Sequence, residues 1–231
     1  MKCKVCGMRM ADNIREVAAL GIDMMGFICW PGSPRFVGHT PLPDTKGLLR
    51  VGVFVDQPAE EIYSYTRLHR LDAVQLHGNE APSLLETLRH DCPQLLIIKA
   101  ISIRDKEGLL KADRYHGLCH LLLFDTRCQC VGGSGQQFSW DMLQHYQGPT
   151  PFLLSGGIGP EDAERVATLD HPLLEGIDLN SRFETSPALK DTQRLAVFLD
   201  RLTRTLSGYS STIQARFFLA YQLSQRIMTF F

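Results

Sequence analysis

The chain has 231 residues, 44% of them apolar and 21% charged, with a formal net charge of −1; this suits one large domain with a sizeable buried core. Near-neutrality excludes a global field that would gather nucleic acid or an anionic membrane, so any anionic ligand must be held by local groups. Seven cysteines in no regular framework predict free thiols in a reducing cytoplasm.

No apolar run of signal-peptide length opens the chain, where Lys2 and Lys4 interrupt the first residues. The first strand is predicted over Cys3–Cys6, followed by a helix over Asp12–Leu20. Strands follow at Met24–Trp30 and Leu49–Asp56, and the second helix, near Asp44–Leu49, has the faintest pattern. A helix at Ala59–Leu68 leads to a strand at Ala73–His77, and a helix at Ala81–His90 to a strand at Leu95–Ser102. Beyond these come a helix at Asp105–Tyr115, a strand at His120–Thr126 and a helix at Trp140–Tyr146. The last units are a strand at Pro151–Gly156, a helix at Pro160–Thr168, a strand at Leu174–Ser181 and a helix at Asp191–Leu206. Most strand runs are almost continuously apolar, as parallel strands covered by helices require.

Strict alternation of strand and helix implies a parallel sheet with right-handed crossovers. Eight units in this length predict an α/β fold of the (β/α)8 TIM-barrel type over residues 1–206. An open nucleotide-binding sheet would place a Gly-rich turn after its first strand, but Gly7-Met8-Arg9-Met10 carries one glycine. Residues 207–231 form a C-terminal extension. In it Leu219, Leu223 and Ile227 recur at helical spacing, predicting a helical tail packed on the barrel or on a partner. Arg216, Gln222, Gln225 and Arg226 break its apolar run, so it is not expected to span a membrane.

The carboxyl ends of barrel strands build the site. After the seventh strand comes Ser155-Gly156-Gly157-Ile158-Gly159-Pro160, whose glycines let backbone N–H groups approach an anion closely. Strand eight ends in Asp178-Leu179-Asn180-Ser181-Arg182, with more donors. The two loops together predict one phosphate site; the bland reading is a tight strand-to-helix turn.

Cys6 closes strand one, with Gly7 leaving room beside its sulfur. Strand alternation puts Lys4 and Cys6 on one face and Cys3 on the other, so Cys3 and Cys6 share neither metal nor disulfide. Cys6 is either a functional thiol or a buried structural one. Asp125 ends the apolar run Leu121–Phe124, where desolvation favours a protonated acid; capping the next loop is the alternative. Gly132-Gly133-Ser134-Gly135 beyond it is either a lid or a mobile loop. An inward Lys4 needs a partner, and Asp178 on the strand that closes against strand one is predicted to supply it. Cys128, Cys130, His116 and His120 lack paired metal-ligand spacing, so no metal site is expected.

Lys4-Val5-Cys6-Gly7, Ser33-Pro34-Arg35-Phe36-Val37, Val74-Gln75-Leu76-His77-Gly78, Phe124-Asp125-Thr126 with Gly132-Gly133-Ser134-Gly135, and Ser155-Gly156-Gly157-Ile158 resemble phosphoribosylanthranilate isomerase. The likeness runs from the N-terminus to about Leu206, in the family's order. It implies an Amadori rearrangement of N-(5′-phosphoribosyl)anthranilate in tryptophan biosynthesis, with Asp125 as general acid and Cys6 as general base. It also implies no metal or organic cofactor, because the substrate nitrogen supplies the electron sink. Arg35 matches the arginine facing the anthranilate carboxylate, a role suited to a guanidinium fork; a solvated surface arginine is the other reading. Gln75 and His77 match pocket-lining residues, against a satisfied core histidine. Gly133, Gly156, Gly157, Asp178, Asn180 and Ser181 complete the expected binding set.

Two departures stand out. Met8-Arg9 follows Cys6-Gly7 where the family usually has Ile-Thr or Leu-Thr, and Arg182 replaces the usual glycine after Ser181. Arg182 would tighten the phosphate loop or assist the anion. The competing readings are another phosphosugar barrel, such as a pentulose-phosphate epimerase or a histidine-pathway isomerase, and a non-catalytic descendant that only binds. A monomer or a homodimer is compatible with the sequence.

Overall fold

The computed structural model describes residues 1–45, 47–126 and 140–208. Eight parallel strands close a barrel in simple sequential order. In chain order the elements are β1 (Lys2–Val5), α1 (Ala11–Ala18), β2 (Met24–Ile28), β3 (Leu49–Phe54), α2 (Ala59–His69), β4 (Ala73–Leu76), α3 (Pro82–Asp91) and β5 (Leu96–Ser102). There follow α4 (Lys106–Leu110), β6 (Leu121–Asp125), β7 (Phe152–Ser155), α5 (Ala163–Ala167) and β8 (Leu174–Leu179). A hairpin of β9 (Glu184–Ser186) and β10 (Leu189–Lys190) then leads into α6, residues 192–208. The side chain of Asp191 accepts from the backbone N–H of Arg194 at 2.9 Å and so caps α6.

The strand periodicity sorts two cores. Outward residues such as Val5, Phe27, Phe54, Phe124 and Phe152 pack under the helices in the larger cluster. Inward residues Met24, Val51, Ala73, Ile98, Ala100, Leu123 and Leu153 fill the barrel itself. Polar inward residues gather above this plug, toward the carboxyl rim. Lys4 faces Asp178 directly in the β1–β8 register, and the predicted pair forms: Lys4 Nζ donates to Asp178 Oδ1 at 2.9 Å. The Ser155 hydroxyl donates to the other Asp178 oxygen at 3.1 Å.

The helix expected near Asp44–Leu49 is absent among the described residues, where β2 passes to β3 through irregular chain. Pro41 and Pro43 remove amide donors and bias their predecessors away from helical backbone. That connection is tied down instead by a bond from the Val37 N–H to the Ile28 carbonyl at 2.8 Å, and by Phe36 and His39 against Tyr65. Three other expected helices are shorter or tighter than their patterns. The stretch after β5 changes from α to 3-10 geometry at Lys111, residues Trp140–His145 are 3-10, and Pro160–Asp162 is a 3-10 turn before α5.

No helix among the described residues is long and apolar enough to cross a membrane. The predicted tail helix lies outside the described residues beyond Gly208.

Candidate active site

Cys6 sits one residue past β1, its N–H donating to the Leu179 carbonyl at 2.8 Å. Its side chain is buried in the barrel mouth. A Cβ on Gly26 of β2 would lie 2.7 Å from Cys6 Sγ and 3.0 Å from Lys4 Nζ. Thiol and ammonium therefore share the space that a side chain there would fill. Burial pushes the Cys6 thiol above its ordinary 9.0, while Lys4 pulls it down, Asp178 adds to the rise and Lys190 opposes it. For Lys4 itself burial opposes the charge, but Asp178 and then Cys6 more than offset it and hold the ammonium above 10.5.

Gly7 next to it has φ +78°, and a Cβ there would come within 2.8 Å of both Arg35 Cδ and Asn180 Oδ1. Glycine is required twice over, by conformation and by space. The close approach brings Arg35 from the β2–β3 connection and Asn180 from β8 to the same side of Cys6.

Asp125 closes β6 with only 6% exposure. Gln75 Nε2 donates to His77 Nδ1 at 2.7 Å, and with this amide orientation the ring proton sits on Nε2, 3.3 Å from Asp125 Oδ2. Gln75 Oε1 is buried without a hydrogen-bond partner among the described residues. Gln75 and His77, both predicted as pocket lining, thus form a hydrogen-bonded chain that ends on the Asp125 carboxylate.

Gly156 and Gly157 have φ of 92° and 71°, the left-handed backbone that turns successive N–H groups outward. Thr126 Oγ1 fixes the turn by donating to the carbonyls of Ser155 and Gly156 at 2.9 and 3.1 Å. Gly156, Gly157, Asn180, Ser181 and Arg182 line one small pocket with Asp178 at its floor. Arg182 lies over Gly159, where a Cβ would be 3.2 Å from its Nε. The departure at position 182 therefore puts a guanidinium among the residues that line this pocket.

Arg35 is not a solvated surface residue. Its Nε and Nη2 engage the carboxylate of Glu184 side-on, at 2.9 Å from Nε to Oε1 and 2.5 Å from Nη2 to Oε2. Glu184 also accepts from Lys190 Nζ at 2.6 Å, and Lys190 Nζ reaches Asn180 Oδ1 at 2.9 Å. Sequence reasoning missed Glu184 and Lys190. The one available signal was that an arginine beside a buried thiol needs a countercharge.

Gly133 lies outside the described residues, as do Cys128 and Cys130. His116 contacts Thr150 and Asp113, and His120 Nδ1 accepts from the Ile97 N–H at 3.0 Å. Neither histidine is at the carboxyl rim.

Asp125 and Cys6 thus stand at the carboxyl ends of β6 and β1, the small pocket lies on the two strands between them, and Arg35 lies beside Gly7. Residues 3–201 match the family described as N-(5′-phosphoribosyl)anthranilate isomerase. The N-(5′-phosphoribosyl)anthranilate isomerase of Parabacteroides distasonis is 47% identical over 208 residues, spanning 87% of this chain and 93% of that relative. The phosphoribosyl anthranilate isomerase structure from Thermus thermophilus aligns with TM-score 0.73 and 29% identity, over 88% of this chain and 99% of its own. A second such structure, in complex with reduced 1-(o-carboxyphenylamino)-1-deoxyribulose 5-phosphate, aligns with TM-score 0.72 and 25% identity, over 88% and 98%.

Proposed function

The chain belongs to the N-(5′-phosphoribosyl)anthranilate isomerase family, and from that premise we propose how its residues divide the work. The reaction is the Amadori rearrangement of N-(5′-phosphoribosyl)anthranilate to 1-(2-carboxyphenylamino)-1-deoxyribulose 5-phosphate in tryptophan biosynthesis. One observation carries the assignment. Asp125 ends β6 and Cys6 follows β1, and in the closed order the two strands between them are β7 and β8, which bear the anion pocket. A phosphate held there suspends its ribose between acid and thiol.

Protonated Asp125 gives its proton to the ribose ring oxygen as the C1′–oxygen bond breaks. The electron pair of the anthranilate nitrogen closes the iminium. Cys6, in the minor fraction that has lost its proton to solvent at neutral pH, then removes the C2′ proton, which the iminium acidifies; the C–H pair becomes the C1′–C2′ double bond and the iminium π pair returns to nitrogen, giving the enolamine. Loss of the enol proton and protonation of C1′ give the ketone. Lys4 stabilises the thiolate it adjoins, His77 orients Asp125, and Arg35 takes the anthranilate carboxylate. The backbone of Gly156, Gly157 and Ser181, with Asn180 and Arg182, receives the phosphate. We place the enzyme in the cytoplasm, a reading supported by the free thiols of Cys3, Cys6, Cys29, Cys92 and Cys119.

The test follows loss of fluorescence of freshly generated phosphoribosylanthranilate. Turnover well above the spontaneous rate is expected, and no excess would reject the assignment. Cys6→Ser and Asp125→Asn should each cut turnover by about a hundredfold or more with the fold intact; near-normal rates would move the chemistry elsewhere.

A further inference from the structure

We propose that Glu184 is a positioning residue: it turns the Arg35 guanidinium so that the Nη1–Nη2 edge faces the carboxylate of the aromatic substrate, and Lys190 holds Glu184 in place. The proposal rests on the reading of Arg35 as the partner of that carboxylate.

The argument begins with donor geometry. A guanidinium has five N–H donors in a fixed plane. Side-on pairing with Glu184 uses Nε–H and one hydrogen of Nη2, at 2.9 and 2.5 Å. The second Nη2 hydrogen and both Nη1 hydrogens remain. The second Nη2 hydrogen and the Nη1 hydrogen parallel to it form the end-on fork that fits a planar carboxylate. Among the described residues nothing else bonds the Arg35 side chain, which is 20% exposed against 4% for Glu184. Its Cδ lies against Gly7, the residue that follows Cys6.

Glu184 has little freedom to choose another pose. Oε1 accepts from Lys190 Nζ at 2.6 Å and from the Ala188 N–H at 3.2 Å, while Oε2 is taken by Arg35. The hairpin that carries it is bolted to α1. Asn13 Nδ2 donates to the Lys190 carbonyl at 2.9 Å, and the Lys190 N–H donates to Asn13 Oδ1 at 2.8 Å. The guanidinium is thus fixed before substrate arrives, and its rotamer freedom is not lost anew on each binding event. Charge points the same way. Arg35 and Lys190 share one carboxylate, so the cluster lacks one negative charge, which the substrate carboxylate supplies.

The experiment compares Glu184→Gln, Arg35→Met and the double variant. The readouts are kcat and KM for phosphoribosylanthranilate, and Kd for the reduced product analogue and for ribose 5-phosphate, which has no carboxylate. In Glu184→Gln, KM and the analogue Kd should rise about tenfold, with kcat changed far less and ribose 5-phosphate binding unaltered. The double variant should be no worse than Arg35→Met alone. Glu184→Asp keeps the charge with a shorter reach and should fall between the wild type and Glu184→Gln. Equal weakening of ribose 5-phosphate and the product analogue overturns the proposal, as does a Glu184 penalty that adds in full to that of Arg35→Met. An unchanged KM in Arg35→Met itself instead sinks the reading of Arg35 beneath it, and the proposal with it.

Discussion

Replacing Lys4 with methionine isolates the buried charge pair at the base of the site. In the wild type the ammonium is 2.9 Å from Asp178 Oδ1, with side chains 0% and 5% exposed. Methionine fills most of the volume but leaves a buried carboxylate whose remaining bond among the described residues is the Ser155 hydroxyl at 3.1 Å. Breaking one side of such a pair costs about 3–5 kcal/mol. For a chain of this size each kcal/mol moves Tm by roughly 2–4 °C, so Lys4→Met should melt about 6–20 °C below the wild type. Adding Asp178→Asn removes the stranded charge while keeping the shape, and should recover much of the loss. Thermal unfolding by circular dichroism at neutral pH reads both variants. A Lys4→Met penalty under about 1 kcal/mol, or a double variant as unstable as the single, would refute the reasoning.

Burial holds the Cys6 thiol above 9.0 against the pull of Lys4, so the 240 nm thiolate absorbance that Cys6→Ser removes should appear only at alkaline pH in the free enzyme. A thiolate already formed at pH 7 would contradict this. Arg182→Ala removes the guanidinium beside Gly159 and should weaken competitive inhibition by inorganic phosphate about fivefold, as loss of one charge-assisted contact implies; unchanged or tighter inhibition would show that Arg182 does not serve the anion. For Glu80 burial favours the neutral form, but Lys99 at 2.9 Å prevails and keeps the carboxyl below 4.5. Its contribution is therefore complete above pH 4.5 and is lost as pH falls through the lower folded value. The stability gap between wild type and Glu80→Gln should narrow on acidification below pH 4.5, and a gap that widens would reverse the sign.

The barrel was legible because its strands bury both faces, which leaves short continuous apolar runs alternating with helical patterns along the chain. The helices were less so. Pro41 and Pro43 argued against the one near Asp44–Leu49, and the pattern over Asp105–Tyr115 hides a change from α to 3-10 geometry at Lys111. Lys99 shows another limit. It occupies the outer face of β5, where an apolar residue is expected. It is satisfied there by the carbonyls of Leu76 and Ala100 on the strands and by the Gly78 carbonyl and Glu80, the last two in place only once the loop after β4 has folded over it.

Within the site, what could be read depended on whether backbone geometry alone brings two residues together. Closing an eight-stranded barrel forces β1 beside β8, so Lys4 and Asp178 could be paired from sequence although 174 positions separate them. Arg35 and Glu184 are separated by 149, a shorter distance, yet no such rule joins them. Each sits on a connection whose path depends on turns and on a hairpin that Asn13 anchors. The residues proposed to do the chemistry sit at strand ends and inherit the barrel's regularity, whereas the one proposed to aim Arg35 sits on a hairpin and does not. Strand periodicity therefore puts Cys6 and Asp125 at the rim, leaves their roles to the family resemblance, and passes over Glu184.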